Sequence, residues 1–133
     1  MRRALIPVLL LVAMIAAGTG AAHDWKIDDR GVLMAIARAP AKTRAWKNPY
    51  EGQADAIAAG EKLYRQHCAE CHGDDARGTR TAANLHMADV QGATPGELAW
   101  LLRNGNIANG MPSWSGLPEQ RRWQIVAYIK SLR

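Results

Sequence analysis

Phenylalanine is absent from this chain of 133 residues, and cysteine occurs only twice. Five Trp and three Tyr supply every aromatic. A small exported domain commonly makes up for a thin core with several disulfides. Two cysteines allow one bridge at most, and across three positions it would close a trivial loop, so something else has to fill the centre. No alternating apolar–polar run of useful length occurs, which argues against a sheet-based fold. Runs of like charge are missing as well. The net charge is +5, two units of it from Arg2 and Arg3 in a segment expected to be removed. That balance argues against a nucleic-acid binder. Past the first 22 residues, no stretch approaches the ~20 apolar residues that span a bilayer.

What is present begins with a leader. Arg2 and Arg3 make a basic start, residues 4–17 are apolar, and Gly20, Ala21 and Ala22 are small enough for signal peptidase. Residues 1–22 therefore read as an export signal, leaving a mature chain that does not span the membrane and works in the periplasm. An uncleaved anchor is the alternative. Residues 23–53 read as an extended N-terminal arm, with room for one helical turn or two at Val32, Leu33 and Ile36, because Pro40, Asn48-Pro49 and Gly52 interrupt any longer element. Residues 54–133 read as one domain.

Three main helices are expected in that domain. The first covers 54–67, ADAIAAGEKLYRQH, with Ile57, Leu63 and Tyr64 on one side. Gly60 costs about 1 kcal/mol there against Ala, which suggests that another backbone passes close by. The second starts at the N-cap Thr94, with Pro95 at N1 and Glu97 completing a capping box, and stops at Gly105. The third runs from Pro118 to the C-terminus. Trp123, Val126 and Ile129 repeat along it, and Arg121, Arg122 and Lys130 fall on or near its exposed side. Between the helices lie HGDDARGTRTAAN and NGNIANGMPSWSGL, loops long enough to need something to wrap around. The fold class is all-α.

Both cysteines fall in CAECHG, residues 68–73. A redox dithiol of the thioredoxin kind needs a strand before it and a helix opening at the first Cys, whereas this motif follows a helix and enters a glycine loop. Zinc needs about four ligands, and adjacent Cys71 and His72 are awkwardly placed on one tetrahedral ion. Covalent haem accounts for every residue. Cys68 and Cys71 are spaced for thioethers to two vinyl groups, and His72 follows as an axial ligand. One haem c would also supply the missing apolar centre.

The opposite axial position has several candidates: Met111, Met87, Met34, His86 and His67. Met111 is favoured by its place in NGMPSW, where Pro112 stiffens the loop and Gly110 lets the backbone approach closely. A methionine on an apolar helix face would more simply be core filler.

GEKLYRQHCAECHG, TPGELAWLLRNG, NGMPSW and VAYIKSL stand in the order and spacing of the class I c-type cytochromes, which the chain resembles from 54 to 132. The resemblance implies a domain of three main helices and long loops wrapped around one covalently bound haem. It implies that Cys68, Cys71, His72 and Met111 attach and ligate that haem, and that Gly60 and Tyr64 meet the last helix near Tyr128. The opening NPYEGQADAIAAGEKLY is also similar to small cytochromes found beside periplasmic quinoprotein alcohol dehydrogenases. One departure is the absence of the proline that often follows CxxCH in the family, which leaves open what orients the second nitrogen of His72, a backbone carbonyl being one candidate. A His/Met pair leaves no open position for substrate and raises the potential. The expected function is single-electron transfer, not catalysis, from a dehydrogenase to another cytochrome or a terminal oxidase. A cytochrome subunit of a dehydrogenase complex, docked by the arm, is the alternative. If Met111 is not a ligand, a haem enzyme or gas sensor is another.

Overall fold

A computed structural model describes residues 29–132. The expected leader and residues 23–28 of the arm lie outside them. Among the described residues there are six α-helices and no strand beyond one isolated bridge, Asn106 with Met111, so the all-α expectation holds. No helix among them is long and apolar enough to cross a membrane.

The core is set by α2 (Ala54–His67) crossing α6 (Glu119–Ser131), the most extensive helix pair, with α5 (Pro95–Asn104) against α6. Gly60 is what lets α2 and α6 approach. A Cβ there would lie 2.0 Å from the carbonyl oxygen of Gln124 and 3.0 Å from Cβ of Tyr128. The neighbouring turn puts the rings of Tyr64 and Tyr128 5.2 Å apart, centroid to centroid. Tyr64, Ile125 and Val126 are fully buried. Because α2 and α5 cover two sides of α6, its buried face widens to take in Trp123, Ile125, Val126, Ala127 and Ile129. The capping box of α5 forms as expected: Thr94 Oγ1 accepts from the Glu97 amide at 3.3 Å, and Glu97 Oε2 accepts from the Thr94 amide at 2.9 Å.

The described part of the arm is helical where Val32, Leu33 and Ile36 allow a turn or two, and not extended there. Residues Asp29–Ala37 form α1, and Ala41–Ala45 a 3-10 turn. The reason is burial of one helical face: Val32, Ala35 and Ile36 are covered, while Leu33 and Met34 stay exposed. Thr43 is fully buried over the start of α5, where the carbonyl of Thr43 lies 1.9 Å from the position a Cβ on Gly96 would take. Arg44 Nε donates to Glu97 Oε1 at 2.8 Å, and Asn48 Nδ2 donates to the Trp123 carbonyl at 2.9 Å. The segment therefore straps the helices from outside.

Two of the basic residues expected on the free side of α6 are used internally. Lys130 Nζ donates to the carbonyls of Gln91 and Ala93, holding the end of the short helix α4 (Ala88–Gly92). Arg122 donates to the carbonyls of Ser115 and Leu117. Long cationic side chains can lie along a helix and reach carbonyls that a loop leaves unpaired.

Candidate haem site

Helix α2 ends at His67, and Cys68 begins a further helical turn, α3 (Ala69–His72). The amides of Cys71 and His72 both donate to the Cys68 carbonyl, at 3.1 and 2.9 Å. Residues three and four apart on a turn share a face, so the turn presents both thiols and the imidazole together. Gly73, at φ +84°, ends it, and the buried Tyr64 hydroxyl donates to the Gly73 carbonyl at 2.6 Å. That bond ties the turn to the α2–α6 crossing.

The loop from 74 to 87 folds back over the turn. Thr79 Oγ1 donates to the Cys71 carbonyl at 2.6 Å, and the Gly78 amide donates to the His72 carbonyl at 2.8 Å. Gly78, at φ +81°, admits the returning chain, since a Cβ there would lie 2.6 Å from the Asn84 nitrogen and 2.8 Å from the Ala83 carbonyl carbon. The return brings the Ala83 carbonyl oxygen 2.8 Å from His72 Nδ1. A carbonyl only accepts, so Nδ1 carries the proton and Nε2 keeps a lone pair. Burial lowers the His72 pKa, outweighing the opposite effect of this bond. The ring is thus neutral, oriented and free at Nε2 among the described residues, as a metal ligand requires. The group that orients His72, left open by the missing proline, is the Ala83 carbonyl, and neither Ala83 nor Gly78 carries a signal recognisable in sequence.

Cys68 is buried, Cys71 is exposed, and neither is in a disulfide. Burial, and secondarily Cys71, pushes the Cys68 thiol up to about 11. A redox dithiol needs the opposite shift. Among the described residues no three His, Cys, Asp or Glu side chains converge as a metal-holding cluster, so zinc finds no geometry here. Two unpaired thiols beside an oriented neutral imidazole suit a covalently held haem.

Met111 lies in the loop after α5, half-buried against the core cluster. It is paired with Asn106 through two backbone bonds, Asn106 N–H to Met111 O at 2.9 Å and Met111 N–H to Asn106 O at 3.1 Å. The close approach expected at Gly110 occurs instead at Gly105, where a Cβ would lie 2.7 Å from the Pro112 carbonyl. Gly110 serves the turn itself, in the left-handed region at φ 82° and ψ 1°. Of the competitors, Met34 is 65% exposed. His86 Nε2 donates to the Asp75 carbonyl at 3.0 Å, and the His67 ring faces Trp114 at 5.2 Å. Met87 is half-buried on the same cluster as Met111 and stands at the N-cap of α4.

A family model described as cytochrome c oxidase, cbb3-type, subunit III matches residues 55–129. The chain is 35% identical over 80 residues to the cbb3-type cytochrome c oxidase subunit CcoP of Rubrivivax gelatinosus, covering 58% of this chain and 26% of that protein. It is 26% identical over 139 aligned positions to cytochrome c550 of Pseudomonas aeruginosa, covering 99% of this chain and 93% of that one. A third relative is the FixP subunit of a Bradyrhizobium cbb3-type oxidase, 32% identical over 79 residues, 56% of this chain and 27% of that protein. The chain thus spans about a quarter of the oxidase subunits it resembles and nearly all of the cytochrome c550. No solved structure matches it.

Proposed function

Since the chain belongs to the family of cytochrome c oxidase, cbb3-type, subunit III, an electron-transport family of haem-bearing c-type cytochromes, we propose that it is a periplasmic single-electron carrier. In this reading Cys68 and Cys71 would attach one haem c, and His72 and Met111 would hold its iron. One haem follows from one CxxCH, since the chain holds no other cysteine. When bound, the haem would supply a one-electron couple, whose potential Met/His ligation would raise.

The observation that carries the proposal is the His72–Ala83 bond, which orients the ring and takes up Nδ1, leaving Nε2 available. Around it the protein's part is positional. Tyr64 and Thr79 hold the CxxCH turn, and the Asn106 bridge holds Met111 in its loop. With the iron held by both His72 and Met111, oxygen or peroxide would have no place to bind, which favours transfer over catalysis. Residues 1–22 act as a cleaved export signal, 23–53 as an N-terminal arm, and 54–133 as the cytochrome domain. Electrons pass from a dehydrogenase to another cytochrome or a terminal oxidase. The donor is suggested by the resemblance of residues 48–64 to dehydrogenase-associated cytochromes, the acceptor by the names of the oxidase-subunit relatives. Arg77, Arg80 and Arg103 are exposed and available at a docking rim, where a transient contact would bury under about 1,200 Å².

The test is the reduced-minus-oxidised visible spectrum of protein matured in a periplasm, with and without carbon monoxide. A haem c spectrum unchanged by carbon monoxide is expected; ready carbon monoxide binding by the wild type would overturn the His/Met assignment. A second reading, a subunit of a larger complex, is favoured by the relatives named as oxidase subunits. Elution of the native protein at monomer size would set it aside.

A further inference from the structure

We propose that Arg38 is a positioning residue for Met111: from the N-terminal strap, it holds closed the loop that presents this side chain. The inference rests on the reading of Met111 as an axial ligand, and it concerns a residue outside the 55–129 stretch that the family model matches.

Arg38 Nη1 donates to Asn106 Oδ1 at 2.8 Å, a bond between residues 68 positions apart. Asn106 is 8% exposed, and its backbone makes both bonds of the bridge to Met111. Its Oδ1 also accepts from Asn109 Nδ2 at 3.2 Å, inside the same loop. One amide oxygen therefore joins the strap, the turn Ile107–Asn109 and the bridge. The end of the strap that carries Arg38 is firmly placed. Val32 and Ile36 sit in the core, Ala39 is buried, and the Ala39 amide donates to the Ile36 carbonyl at 3.0 Å. The loop tip is not: residues 107–110 are all exposed, Ile107 by 65%. With so little packing at the tip, a charge-assisted bond on Asn106 has a large share in how often the bridge opens.

Arg38→Ala leaves Oδ1 with the Asn109 donor alone. Removing a bond from a charged donor corresponds to about a tenfold change in an opening equilibrium. The experiment uses matured holoprotein of the wild type, Arg38→Ala, Arg38→Lys, Arg44→Ala and Met111→Ala. It reads carbon monoxide binding to the reduced protein and hydrogen exchange of the Met111 amide. Arg38→Ala is expected to raise both by about tenfold, with Arg38→Lys returning much of the loss because an ammonium still donates. Arg44→Ala cuts a different contact of the strap, the ion pair to Glu97, and should leave both readings near wild type. Equal effects of Arg38→Ala and Arg44→Ala would show general loosening of the strap and overturn the proposal. So would an Arg38→Ala protein unchanged in both readings. If the wild type binds carbon monoxide as readily as Met111→Ala, the ligand reading fails instead, and exchange at the Met111 amide still decides whether Arg38 holds the loop.

Discussion

Replacing Gly60 by Ala tests the helix crossing on which the site stands. An added Cβ would sit 2.0 Å from the Gln124 carbonyl oxygen and 2.6 Å from its carbon, where real contacts stay beyond 3.0 Å. The obstacle is backbone, so no rotamer change relieves it, and α6 has to retreat by about 1 Å. A gap of that size forfeits a quarter to a half of the dispersion contact across the interface. Overpacking of this kind costs about 3 kcal/mol at the upper end of its usual range. The better helix propensity of Ala returns about 1 kcal/mol, leaving a net loss of about 2 kcal/mol. For a domain near 100 residues that lowers the melting temperature by roughly 8–16 °C. The control is Gly92→Ala, at the end of α4, where an added Cβ meets nothing within 4 Å. It should hold the melting temperature or raise it by a few degrees. The assay is thermal denaturation of matured holoprotein, followed by circular dichroism at 222 nm. A Gly60→Ala protein that melts at or above the wild-type temperature would refute the close-crossing argument.

Three further outcomes are expected. Met111→Ala should open an axial position, so carbon monoxide binds the reduced protein and the reduction potential falls; an unchanged potential would move the assignment to Met87. Cys68→Ala/Cys71→Ala should leave the loops without a centre, giving a partly unfolded, protease-sensitive product, and native helicity in that variant would contradict this. For Glu97, burial alone would raise the pKa, but bonds from Arg44 and from the backbone and side chain of Thr94 outweigh it and hold the carboxyl below its ordinary value. A depressed folded-state pKa stabilises the protein above the unfolded value of about 4.3, and that contribution is lost as the pH falls through the folded value. Melting temperature should therefore drop on acidification below about pH 4, and Glu97→Gln should flatten that part of the profile.

The local signals were complete where the determining physics is local. The capping box at Thr94 and Glu97 and the CxxCH spacing depend on neighbours within one turn, so the sequence alone specifies them. Gly60 was legible for a related reason: a costly glycine inside a helix implies a close neighbour, here Gln124. The helix in the arm was legible only as a turn or two at Val32, Leu33 and Ile36, because its short apolar face at Val32, Ala35 and Ile36 is stable only against a core built by later residues. Lys130 and Arg122 looked solvated because nothing in their own helix reveals the loop carbonyls they meet. The orientation of His72 depends on Ala83, eleven residues on, and the hold on Asn106 on Arg38, 68 residues back. The chemistry proposed for this chain is legible in CAECHG and NGMPSW. Which atoms hold that chemistry in place was decided only by folding, because a backbone carbonyl or an extended guanidinium acquires its partner through chain reversals that no local pattern encodes.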